Sequence, residues 1–149
     1  MEKQLIIKRT HVSFGEEQFQ FLSAHSDHPL ADGFIFSRVF CDADSFQSFL
    51  ALLKEQLALT EEFCSFAEQT FPAEFFRNQS LVLMFSDERS GANRLTLHAC
   101  QCEADTVHLT IDRERGLTMD MAYLFLFLPL DRHDISHSAV QIQDAGFPF

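Results

Sequence analysis

Tryptophan is missing from this 149-residue chain, and tyrosine occurs once. Those two rings carry a polar edge that suits sugar and nucleobase surfaces, so carbohydrate binding and base stacking lose ground. Positive charge is scarce too: 11 basic residues stand against 22 acidic ones, a formal charge of -11. A phosphate backbone or an anionic membrane needs a basic footprint, so neither nucleic acid nor a membrane surface is an expected partner. The five glycines are scattered singly, and no glycine-rich loop exists to cradle a phosphate. Long hydrophobic runs are lacking as well. The longest, Met121 to Leu130, has ten residues with Pro129 near its end, whereas a membrane helix needs about 20. A secretory signal needs about 7–15 uninterrupted apolar residues, and the N-terminal segment offers only Leu5, Ile6 and Ile7. The four cysteines (Cys41, Cys64, Cys100, Cys102) show no framework spacing, so free thiols in a reducing cytoplasm are expected. The alternative is a secreted protein or lipoprotein whose export signal has been removed.

What the chain has in plenty is phenylalanine, 18 residues of it. Phe buries a large ring with no polar atom to satisfy, so this composition fills an interior. Hydrophobic residues make up 46% and charged residues 22%, the balance of a folded globular chain. No repeat, low-complexity tract or linker divides it, and a single domain over 1–149 is expected. The polar, weakly patterned stretch 133–149 reads as a loosely ordered tail.

Hydrophobic periodicity supplies the elements. Leu5 to Val12 reads as a strand, and Gln18 to Leu22 alternates as a second one should. Turn formers occupy His25 to Gly33, and Phe34 to Phe40 reads as a third strand. Phe46, Phe49, Leu50, Leu53 and Leu57 then fall on one helical stripe, predicting a helix over about 44–58 capped by Asp44. Thr60 opens a second helix over about 61–70, with Glu61 and Glu62 at the positive end of its dipole. Pro72 ends it, and one further turn follows at 73–77. Ser80 to Phe85, Arg94 to Cys102, Thr106 to Asp112 and Met121 to Leu128 complete the strands. Met121 to Leu128 does not alternate, which predicts cover on both of its faces. The fold class is therefore α+β: a mostly antiparallel sheet of six or seven strands, covered by two consecutive helices.

Two constellations stand out for chemistry. Pairing Cys102 with Thr106 would set His108 opposite Cys100, so that His98, Cys100 and His108, with Cys102 beside them, share a polar sheet face. Imidazole and thiolate are ligands that zinc prefers, although alternate residues on a flat strand spread about 7 Å apart. The second is an arginine series. Arg89 and Arg94 flank one turn and Arg113 and Arg115 another, and antiparallel topology can bring both turns to one end of a sheet. A small anion or an acidic peptide would fit there; the competing expectation pairs these arginines with Asp87, Glu88, Asp112 and Glu114 beside them. Elsewhere, His133 and His137 stand four apart without a zincin glutamate, and His25 and His28 bracket a turn. Ser90-Gly91 lacks the Gly-x-Ser-x-Gly elbow.

Ser90-Gly91-Ala92-Asn93-Arg94, the two strands joined at Asp105-Thr106, Arg113 to Gly116 and Thr118-Met119-Asp120-Met121-Ala122 resemble a family of small bacterial proteins without assigned activity, several of them predicted lipoproteins. The segment Leu81 to Asp131 is also distantly similar to the C-terminal domain of the PrcB protease-complex subunit family. The glycine pair and aromatic that open the PrcB strand appear here as Gly91-Ala92, without either. The resemblance implies a β-rich accessory module with no catalytic residues to carry over. Taken together, a non-enzymatic protein or peptide interaction domain without a cofactor is expected. The rival expectation is a small metal-dependent or hydrolytic enzyme built on His98, Cys100 and His108.

Overall fold

The computed structural model describes residues 4–27, 34–102, 106–131 and 139–144. The elements run β1 (Ile6–Arg9), α1 (Glu16–His25), β2 (Phe34–Phe40), α2 (Ala43–Leu57), α3 (Glu61–Thr70), a 3-10 turn (Phe75–Arg77), β3 (Gln79–Glu88), β4 (Arg94–Cys102), β5 (Thr106–Glu114), β6 (Ala122–Asp131) and β7 (Ala139–Asp144). This is an α+β fold with mostly antiparallel strands. Among the described residues no helix is long and apolar enough to cross a membrane.

The helical stripe predicted from Phe46 to Leu57 is buried along α2. Its cap lies two residues earlier than expected: the Asp42 carboxylate, not that of Asp44, accepts from the Ser45 N–H at 2.7 Å. In α3 the Thr60 hydroxyl accepts from the Phe63 N–H at 3.1 Å, as the sequence implies.

The strand expected over Gln18 to Leu22 is instead the middle of α1. Five residues of alternation are too short to fix a period. The core-facing positions Gln18, Phe21, Leu22 and His25 follow helical spacing, while Phe19 stays exposed. The Gln18 side chain reaches back to accept from the Gly15 N–H at 2.9 Å, which closes the helix start.

The strands form two sheets rather than one. The first has the order β1-β6-β3-β2, and the second β4-β5-β7. In the first sheet every pairing is antiparallel; in the second, β4–β5 is antiparallel and β5–β7 parallel. Within the stretch expected as a loose tail, Ala139–Asp144 forms β7; 132–138 and 145–149, with His133 and His137, lie outside the described residues.

Three layers result, with the first sheet in the middle. On one side Leu81, Leu83, Phe85, Phe125 and Phe127 meet the helical residues Phe46, Phe49, Leu53, Leu57 and Phe63. On the other, Val82, Met84, Leu124, Leu126 and Leu128 meet Leu95, Val107, Leu109 and Ile111 of the second sheet. Successive strand residues point to opposite faces, so β3 and β6 read as continuous apolar runs because both faces are covered. A register shift between Phe34 and Phe36 sends Phe34 into one core and Phe36 into the other.

Candidate functional site: an arginine-lined cleft

Two connections meet at one end of the second sheet. The first, 89–93, joins β3 to β4; the second, 115–121, joins β5 to β6. Both are fixed to a buried ion pair that spans the two sheets. The Arg113 guanidinium donates to both oxygens of the Glu88 carboxylate, at 2.8 and 3.0 Å, and stands 5.2 Å over the Phe34 ring. Glu88 is 1% exposed and Arg113 5%. The Ser86 hydroxyl and the Asn93 amide donate to the same carboxylate. Burial alone would raise the Glu88 pKa, but the hydrogen bonds from Arg113, Ser86 and Asn93 outweigh it and hold the group below the usual glutamate range.

The turns are then locked to each other. The Asn93 side-chain oxygen accepts from the Gly116 N–H at 2.7 Å. The Ser90 and Thr118 hydroxyls share a hydrogen bond of 2.6 Å, and the Ala92 N–H donates to both oxygens. The Gly91 N–H donates to the Asp120 carbonyl at 2.7 Å, while Arg9 donates to the Gly91 carbonyl. Hydrogen bonds from the Thr118 side chain and from backbone N–H groups, with Arg9 nearby, hold the Asp120 carboxyl below its ordinary value.

Between these turns lies a cleft of about 1040 Å³. All four arginines expected to share one end of the sheet line it, together with Asp112 and Glu114. They are not equivalent. Arg113 is the internal partner of Glu88 and is buried, so its charge is already matched. Arg115 is half-buried on the wall. Arg89 and Arg94 are exposed and make no ion pair among the described residues. The Asp112 carboxylate lies 3.3 Å from the His98 imidazole.

The sequence did not point to the rest of the lining. Leu117 and Met119 line the same cleft and are 98% and 95% exposed, with Met121 beyond them at 58%. Thr118 and Asp120, between them, bond back to the 90–92 turn, so the segment presents its odd-numbered side chains outward. Three apolar residues alternating with polar ones in an otherwise polar turn were the available signal.

The shared face expected for His98, Cys100 and His108 does not form. A bulge between Leu97 and Ala99 shifts the hairpin register by one residue, and a shift by one exchanges the two faces of a strand. Cys100 therefore pairs with Leu109 and packs on the second core, while His108 pairs with Gln101 on the opposite face. His98 sits exposed at the bulge beside Asp112. Among the described residues no three His, Cys, Asp or Glu side chains converge as metal ligands would. Of the cysteines, Cys41 is a half-buried thiol and Cys64 a buried one, whose pKa burial pushes up.

No known protein family, no curated protein and no solved structure matches this chain.

Proposed function

We propose that this protein is a non-enzymatic interaction or accessory module that receives an acidic segment of a partner protein in the arginine-lined cleft. The observation that carries this reading is the division of labour among the arginines. Arg113 is sealed against Glu88 and braces the site, whereas Arg89 and Arg94 stand exposed in the cleft and make no ion pair among the described residues, although Asp87 lies near Arg89 and Glu114 pairs across the strands with Arg94. The lining holds four arginines against two carboxylates; with Arg113 matched by Glu88, one positive charge is left in excess, on a molecule of net charge -11. Screening confines exposed charges to a Debye length of about 8 Å at physiological salt. A short acidic segment therefore senses the cleft, whereas a long polyanion such as nucleic acid also meets the surrounding negative field.

The remaining lining consists of the Ser90, Thr96 and Thr118 hydroxyls, the Asn93 amide, Gly116 and the apolar Leu117 and Met119, groups that recognise rather than transform. The thiols of Cys41 and Cys64 accord with a reducing cytoplasm as its compartment.

The test compares proteins retained from the native cell by the wild-type chain and by an Arg89→Glu/Arg94→Glu variant, quantified by mass spectrometry. At least one acidic protein retained by the wild type should be lost with the variant. Identical sets on both baits would refute the reading.

A further inference from the structure

We infer that the occupant of the cleft is an extended segment of another protein in which acidic and apolar residues alternate, and that Leu117, Met119 and Met121 form the apolar half of its docking surface. This inference rests on the arginine-cleft reading and adds the shape and patterning of the partner.

The segment 117–121 is anchored every second residue. Thr118 is held by Ser90 and the Ala92 N–H, and the Asp120 carbonyl by the Gly91 N–H. The odd-numbered side chains are left as an apolar ridge in solvent, and covering a large apolar side chain that is 98% exposed would be favourable. Alternate side chains of an extended chain are about 7 Å apart, the spacing at which one face of an extended partner presents its own side chains. The opposite face of such a partner would look into the cleft, towards Arg89 and Arg94 with Arg115 on the wall. Carboxylates on that face meet guanidinium groups, which bind them through paired hydrogen bonds. A chain apolar on one face and acidic on the other satisfies both surfaces at once. A second copy of this chain, itself at -11, is disfavoured by repulsion between the two molecules.

The probe is a fluorescent heptapeptide alternating Asp and Leu, blocked at both ends and read by polarisation, with an Asp/Ser heptapeptide of equal charge as the control. The Asp/Leu peptide should bind. Its affinity should fall about tenfold with Leu117→Ser/Met119→Ser and by a similar factor with Arg89→Glu/Arg94→Glu, the range expected when anchor residues of a small interface are removed. All four substitutions are at exposed positions, and an unchanged circular dichroism melt confirms folding.

If both peptides bind equally and only the arginine variant weakens them, the apolar ridge is overturned and the arginine cleft survives. If neither peptide binds, or binding ignores the arginines, both fall. Co-sedimentation with phosphatidylglycerol vesicles that Leu117→Ser/Met119→Ser abolishes, without peptide binding, would overturn the proposal in favour of a lipid surface. A dimer in light scattering that the same variant dissociates would overturn it in favour of self-association.

Discussion

Ala58 ends α2 in the left-handed conformation, at φ 54 and ψ 48, and its N–H returns to the Lys54 carbonyl. Only glycine takes that region without steric cost; an L-residue with a Cβ loses roughly 1–2 kcal/mol there. Glycine in turn loses more backbone freedom on folding, about 0.4–1 kcal/mol. Ala58→Gly should therefore stabilise the protein by about 0.5–1 kcal/mol, visible as a higher urea midpoint at unchanged slope. A lower midpoint would show that the left-handed turn is not strained. Nothing in the sequence announced this position, because alanine carries no preference for a positive φ. The caps differ in that respect. Thr60 was legible because it stands alone before its helix, whereas Asp42 and Asp44 both precede the stripe and only geometry chooses between them.

At the level of elements, length of pattern decided what could be read. The α2 stripe runs from Phe46 to Leu57, about three helical turns, and the covered faces of β6 followed from an unbroken apolar run. The α1 segment offered only Gln18 to Leu22, where alternation and helical spacing both fit. The bulge at His98 was invisible, since Leu95, Leu97 and Ala99 alternate perfectly in sequence while the partner strand slips by one. That slip removes the metal-ligand face and leaves the arginine end intact, because Arg94 to Leu97 pair in register with Ile111 to Glu114. The two connections at that end approach closely. A Cβ on Gly116 would come within 2.6 Å of the Ala92 carbonyl carbon and closer still to its side chain. Backbone cannot yield as a flexible side chain can, so Gly116→Ala should force the turns apart at a cost of about 1–3 kcal/mol. Hydrogen exchange should show faster exchange of the Gly91 and Ala92 amides. Unchanged exchange with full stability would mean that the turns are not locked together.

At the scale of the whole molecule, the arrangement of the strands was the least legible feature. Periodicity reports which faces are buried but not which strands share a sheet, and seven strands in one layer bury the same faces as two stacked sheets. What holds the two sheets in place, besides their shared apolar core, is the Glu88–Arg113 pair, and it fixes the cleft as well. Removing one member of a buried pair leaves the other charge uncompensated, a loss of about 3–5 kcal/mol, while replacing both with apolar groups can be close to neutral. Glu88→Gln preserves shape but strands Arg113, so it should lower the free energy of unfolding by that amount; Glu88→Leu/Arg113→Met should cost less than either single substitution. The pH response follows from the direction of the Glu88 shift. Its folded-state pKa lies below the ordinary glutamate value of about 4.5, so the unfolded chain takes up the proton first. The contribution to stability is complete above that value and disappears as pH falls through the lower folded-state pKa. Wild-type stability should fall over that acidic interval, and Glu88→Gln should flatten the fall. Because Asn93 hangs on the same carboxylate, Glu88→Gln should also weaken binding of the Asp/Leu peptide, though Glu88 itself lies outside the cleft lining. A Glu88→Gln protein as stable as wild type, with the same acid profile, would mean that the apolar core alone orders the two sheets.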